Sequence, residues 1–218
     1  MKINELEVLI DYSFFDQELI KTAIQHKSFN KNINNERLEF LGDAILNSVI
    51  SDYLFEHFPN HQEGILTRAR ASLVNGSTLT NKAIEIKLDK YIKLSKGMIN
   101  LGDDRKLSIL EGAFEALIGA IFVDSGWKNV KKVIYKLYKD DLDNLSSINE
   151  FKDPKSILQE AMQANGMTPP DYNTIERKDD NFESSIELKG MKYNAIGKSK
   201  KSAEAQLAED ILKNGDFI

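Results

Sequence analysis

Three acidic residues, Glu36, Glu39 and Asp43, recur at spacings of three and four. Wound at about 100° per residue, they share a strip about 60° wide along one side of a helix. Like charges so placed cost a helix roughly 0.2–0.5 kcal/mol per pair, a penalty that a bound divalent cation reverses. A second segment repeats the theme with Glu111 and Glu115 beside Phe114, Leu117 and Ile118. Spacing alone also fits an ordinary solvated acidic face. Two features favour chemistry. Phe40 and Gly42 stand among the first acids, where a solvated face more readily takes Lys or Gln, and carboxylates are set beside apolar residues twice. Oxygen-only donors suit Mg²⁺ or Mn²⁺, which keep several waters and bind through a few carboxylates together with substrate phosphates. Hydrolysis of a phosphodiester by a metal-activated water fits such a set.

These acids must be positioned by helices. Apolar residues at three- and four-residue spacing predict helices over about 17–25, 35–57, 62–73, 77–86, 108–123 and 128–142, which together make an all-α unit. Leu38, Leu41, Ile45, Val49 and Tyr53 form one face of the long second helix, which Pro59 and Asn60 stop. The texture changes after about Leu145. Residues 147–152 read as a linker, dividing the chain into domains at 1–146 and 153–218. In the second domain Asp153-Pro154 offers a cap and a first helical proline. Three extended stretches follow, at 172–177, 183–188 and 192–196, with a turn at Gly190. Ser199 then caps a last helix that Gly215 ends. The tail is an α-β-β-β-α module, a small α+β domain.

Composition narrows the field. The chain has 218 residues, 41% hydrophobic and 29% charged, enough for a globular core. It has no cysteine, which excludes disulfides, thiolate metal sites and a cysteine nucleophile and agrees with a cytoplasmic setting. No apolar run approaches the roughly 18 residues that cross a bilayer, so no membrane partner is expected. The net charge of −5 shows no whole-chain attraction to nucleic acid, so any such partner must be held by local basic groups. His26, His57 and His61 show no metal-ligand spacing and read as capping or packing residues.

The string Asn35-Glu36-Arg37-Leu38-Glu39-Phe40-Leu41-Gly42-Asp43-Ala44-Ile45-Leu46 resembles the signature of bacterial ribonuclease III, an endonuclease of double-stranded RNA. His26-Lys27-Ser28, Glu63-Gly64, Ser108-Ile109-Leu110 and Phe114-Glu115-Ala116-Leu117-Ile118-Gly119 resemble further family motifs, so the likeness extends along the whole chain. The resemblance implies that Glu39, Asp43 and Glu115 are metal ligands, with Asp43 and Glu115 catalytic, and that Glu36 and Glu63 line the same valley. It implies Mg²⁺ as cofactor with Mn²⁺ as a substitute. It also implies a homodimer with Phe40 at the interface, in which two sites related by a two-fold axis cut one strand each, leaving 5′-phosphate and 3′-hydroxyl ends.

One position departs from the family. An aspartate normally stands three residues before the glutamate that matches Glu115, and here that residue is Gly112. Glu111 lies about 40° from Glu115 on the helical wheel, on the flank opposite Gly112. The expectation is a water at the vacated ligand position, with Glu111 supporting it or coordinating directly. The alternative is a catalytically impaired protein that binds duplex RNA without cutting it.

In the tail, Lys200 and Lys201 follow the cap Ser199, where the helix dipole disfavours cations by about 0.3–1 kcal/mol. A phosphate backbone would compensate, and Lys198 extends the patch. The strings 153–160, 169–172 and 197–204 resemble a double-stranded RNA-binding domain, a module that reads A-form shape. The resemblance places Gln159 and Glu160 in a minor groove and Lys198, Ser199, Lys200 and Lys201 at phosphates. Where the family carries a Gly-Pro-x-His-type contact, this chain has Lys178-Asp179-Asp180-Asn181, which predicts weaker and more salt-sensitive binding. The sequence therefore predicts a metal-dependent endoribonuclease that processes structured precursor RNAs, rRNA and mRNA among them. A metal-binding helical regulator that never touches RNA is a third reading, to be favoured if no duplex RNA binds.

Overall fold

A computed structural model describes residues 3–98, 102–145 and 153–214. The linker expected at 147–152 and the helix stop at Gly215 lie outside these residues. The chain forms two compact units, 1–148 and 149–218.

In the first unit, α1 (Ile3–Ile10), α2 (Gln17–Ala23), α3 (Glu36–His57), α4 (Glu63–Leu73) and α5 (Gly76–Glu85) precede α6 (Asp103–Leu137) and the short α7 (Lys139–Asp143). α6 is central, packing against α2, α3 and α5. From Ala116 to Ile121 every residue is buried, which is why this stretch carries no polar face. Helix-by-helix reading placed a break between 123 and 128. The structure agrees: at Gly126 a φ of 76° and a ψ of −171° leave the helical region and divide the element into two helical arms. The same element begins at Asp103, inside a stretch that reads as a turn. α1 was not expected at all. Ile3, Leu6 and Ile10 nevertheless fall at three- and four-residue spacing, Leu6 and Ile10 are fully buried, and Glu7 accepts bonds from Phe14 N and Gln17 Nε2.

A close approach fixes α3 on α6. A Cβ on Gly42 would stand 1.7 Å from the Glu115 carbonyl oxygen, and one on Gly119 would stand 2.2 Å from the Leu38 carbonyl oxygen. Only glycine permits backbone to meet backbone there.

The second unit runs α8 (Pro154–Ala164), β1 (Asn173–Glu176), β2 (Phe182–Leu188), β3 (Met191–Gly197) and α9 (Lys200–Asn214). The strands form one antiparallel sheet in the order β1-β2-β3. The expected caps form: Asp153 accepts from Lys155 N at the head of α8, and Ser199 Oγ accepts from Ser202 N at 3.1 Å at the head of α9. Lys189 and Gly190 turn β2 into β3 with φ of 50° and 79°. Leu158, Met162, Ile186, Leu188, Leu207 and Ile211 build the core between the helices and the sheet. Among the described residues, no helix is long and apolar enough to cross a membrane.

Candidate active site

The glycine contact between α3 and α6 determines which side chains can meet. Glu39 and Asp43 flank Gly42 on α3, and Glu115 contributes to that contact through its own carbonyl on α6. Burial pushes the Glu115 carboxyl up to about 8, and the nearby Asp43, Glu39 and Glu111 carboxylates act in the same direction. Burial, followed by Glu36 and Glu111, also raises Glu39, while Lys27 opposes the shift. Five acids from two helices, Glu36, Glu39 and Asp43 of α3 and Glu111 and Glu115 of α6, thus share one electrostatic neighbourhood.

Asp43, Glu36 and Glu63 each have a polar partner. Asn47, one turn after Asp43, donates from Nδ2 to Asp43 Oδ1 at 2.8 Å and to the Asp43 carbonyl at 3.0 Å. Glu36 is paired with Lys27 Nζ at 2.8 Å on the exposed side of the cluster. Lys27 is held by its turn: Ser28 N donates to His26 Nδ1, and Ser95 N donates to Ser28 Oγ. His26 is therefore an anchoring residue, kept below the usual histidine range by burial and by Lys27. Glu63 begins α4 and accepts from Thr67 Oγ1 at 2.8 Å. It lines a cavity of about 860 Å³ together with Asn47, Ser51, Phe55, Arg70 and Trp127. Phe40 points outward, 80% exposed.

The space beside Gly112 is not open, contrary to the expected water site. A Cβ there would lie 2.8 Å from Glu39 Cδ and Oε2, so the Glu39 carboxylate fills it. Glu111 turns the other way. Its carboxylate oxygens lie 2.9 Å from where a Cβ on Gly76 would be, at the N-terminal end of α5, where a helix dipole favours negative charge. Among the described residues, no three acidic or histidine side chains are already arranged to hold a metal ion. The donor set is nevertheless all oxygen, and its mutual repulsion is the kind that a hard divalent cation relieves.

Sequence reasoning missed Asn47 and gave Lys27 no site role. Asn47 carries a signal, because it sits four residues after Asp43 on one helix face. Lys27 lies in the His26-Lys27-Ser28 motif, but nothing in its spacing announces the pairing with Glu36, which the loop from 26 to 35 brings about.

In the second unit Gln159 and Glu160 are exposed on α8, and Lys198, Ser199, Lys200 and Lys201 are exposed where β3 enters α9. A Cβ on Gly197 would stand 2.4 Å from Ala203 N, so the strand end is pressed against the first turn of α9 and the lysines are presented together. In the β1–β2 loop, Asp179 is occupied by Asn181 N and by Arg177 Nε at 3.4 Å.

The family model for Ribonuclease-III-like domains matches residues 16–142, and that for the double-stranded RNA binding motif matches residues 154–214. The chain belongs to the ribonuclease III family. Ribonuclease 3 of Aliarcobacter butzleri is 43% identical over 219 residues, covering 96% of this chain and 97% of that relative. Ribonuclease 3 of Buchnera aphidicola is 39% identical, covering 96% and 95%. The nuclease domain of ribonuclease III from Campylobacter jejuni superposes with a TM-score of 0.62 at 42% identity, covering 64% of this chain and 97% of that one. As a ribonuclease III, the chain is an endoribonuclease of a generally metal-dependent family and carries a double-stranded RNA-binding domain, and its helical unit followed by a small α+β unit is the expected fold.

Proposed function

We propose that this ribonuclease III uses Mg²⁺, or Mn²⁺ in its place, to hydrolyse both strands of duplex RNA, leaving 5′-phosphate and 3′-hydroxyl ends. Its role is processing of structured precursor RNAs, rRNA and mRNA among them, in a bacterial cytoplasm. Residues 1–146 form the catalytic and dimerisation domain, 147–152 the linker and 153–218 the RNA-binding domain. The observation that carries this reading is the gathering of Glu39, Asp43 and Glu115 around the contact between Gly42 and the Glu115 carbonyl.

Glu39, Asp43 and Glu115 would hold the ion. The chemistry it supplies is an activated water for attack on phosphorus and charge neutralisation at the departing 3′-oxygen. Asn47 fixes the Asp43 carboxylate through one oxygen, and the other would be available to hold the ion. Lys27 neutralises Glu36 at the edge of the cluster, so that the acid count there does not repel the RNA backbone. Glu63 lines the flank through its cavity, and Glu111 adds negative charge behind Glu115. In the second unit Lys198, Lys200 and Lys201 hold phosphates, Ser199 orders the turn that carries them, and Gln159 and Glu160 meet a minor groove.

A homodimer accounts for paired cutting, with Phe40 in the interface. Phe40 is 80% exposed on α3, which leaves it accessible to a partner surface. The related Campylobacter jejuni nuclease domain is itself described as having a region involved in dimer formation.

The test is incubation of the full chain with a labelled RNA duplex under Mg²⁺, Ca²⁺ or EDTA, beside Glu115→Gln. Binding is read by gel shift and cleavage on a denaturing gel. Mg²⁺-dependent cuts on both strands, lost in the variant while binding persists, are expected. Binding without cuts would instead support a duplex-binding protein impaired by the absence of an acid at Gly112.

A further inference from the structure

Glu36 and Asp43 are exposed at the two ends of the acidic row on α3, while Glu39 and Glu115 are half-buried, so a duplex reaches the cluster across Glu36 and Asp43. At about 1.5 Å of rise per residue, Glu36 stands roughly 4.5 Å before Glu39 along the helix axis, and Asp43 roughly 6 Å after it. The cation at the Glu36 end is Lys27, whose Nζ lies 2.8 Å from Glu36 Oε1 and whose charge also opposes the rise of the Glu39 carboxyl. The backbone that carries Lys27 is fixed. His26 N donates to the Lys93 carbonyl at 3.2 Å, Ser28 N to His26 Nδ1 at 3.1 Å and Ser95 N to Ser28 Oγ at 3.2 Å. The head group is held less firmly: with the lysine side chain 60% and the glutamate side chain 51% exposed, the pair is of the kind that surrounding water leaves weak. A phosphate oxygen can therefore replace Glu36 at the ammonium, and the nucleic acid sheds a counterion when it does.

We propose that Lys27 is a substrate-binding residue: its ammonium leaves Glu36 to hold the RNA phosphate that adjoins the one being cut. Glu36 is its resting partner, which keeps the ammonium beside the acidic row when no RNA is bound. A lysine suits the task as a compact point charge on a flexible stem, able to turn from a carboxylate to a neighbouring phosphate. Such a contact sets the position of the strand and carries no sequence information. The inference rests on the nuclease reading above, in which the phosphodiester is brought to Glu39, Asp43 and Glu115.

The test is the salt dependence of duplex RNA binding by the full chain in Ca²⁺, read by fluorescence anisotropy, with thermal unfolding as a check on folding. Lys27→Met is expected to weaken binding about threefold or more at low salt and to make the log–log slope of affinity against salt shallower by about one, the change that loss of one phosphate contact produces. Lys27→Arg should keep the slope. If Lys27 served only to neutralise Glu36, removing both charges would restore wild-type binding. The expected result is the opposite: in a Glu36→Gln background, Lys27→Met still makes the slope shallower by about one. The Lys21–Glu18 pair of α2, 2.6 Å apart and also exposed, is the control for diffuse charge, and Lys21→Met in a Glu18→Gln background should leave the slope unchanged. A wild-type slope in Lys27→Met, wild-type binding in the Lys27→Met/Glu36→Gln double variant, or an equal change at Lys21 would overturn the inference. Wild-type protein that cuts no duplex in Mg²⁺ would overturn the nuclease reading itself, a result distinct from any of these because the slope is measured without cleavage.

Discussion

Gly42 of α3 rests on the backbone carbonyl of Glu115 in α6, so closely that a Cβ on residue 42 would lie 1.7 Å from that oxygen. This contact links fold and chemistry. It places the two acids that flank Gly42 beside the acid whose own carbonyl forms the other half of the contact, in a setting where burial and like charge push the Glu115 carboxyl up to about 8.

Gly42→Ala should accordingly damage the helical unit. Alanine gains about 1 kcal/mol of helix propensity over glycine, which is too little to offset a backbone that must move. Overpacking of this kind costs up to about 3 kcal/mol, and occasionally more. The net loss should lower the thermal midpoint by about 4–8 °C for a unit of this size, read by far-ultraviolet circular dichroism. An unchanged midpoint would mean that the two helices do not meet here.

Asn47→Ala tests the bond to Asp43. Removing a residue that orients a metal ligand typically costs about 10–100-fold in metal affinity or activity. Single-turnover cleavage of a duplex at subsaturating Mg²⁺ should slow by about tenfold or more, and excess Mg²⁺ should restore part of the loss. Duplex binding by the second unit should not change. Equal cleavage at every Mg²⁺ concentration would show that the 2.8 Å bond does not order Asp43 in the working enzyme.

The second unit has its own pH dependence, centred on Glu204. This buried glutamate of α9 pairs with Lys155 of α8 and accepts from Thr174 Oγ1 at 3.1 Å. Burial alone would raise its carboxyl, but the Lys155 and Thr174 bonds outweigh burial and hold it below the ordinary value of 4.5. A depressed acid contributes stability that is fully present above the unfolded value and is lost as the pH falls through the folded one. Amide protection in α8 and α9 of the full chain should therefore decline between about pH 4.5 and pH 3. Glu204→Gln should lower protection at pH 7 and flatten that decline. An identical acid profile in the variant would remove Glu204 from the account.

Much of this protein was settled locally along the chain. Spacing of three and four put Glu36, Glu39 and Asp43 on one side of α3 and Glu115 beside the apolar face of α6. Asp153-Pro154 and Ser199 fixed where α8 and α9 begin, because a cap acts on backbone groups within three residues of itself. The α-β-β-β-α order followed from alternation and from the turn at Gly190. Other features lay beyond local reach. α1 is held by Leu6 and Ile10, whose burial depends on distant helices. Periodicity shows which side of a helix an acid occupies but not what the neighbouring helix presents to it. Only tertiary packing decided these contacts: the crossing of α3 and α6 set Glu39 on Gly112, the packing of α5 on α6 turned Glu111 to Gly76, and the loop from 26 to 35 brought Lys27 to Glu36.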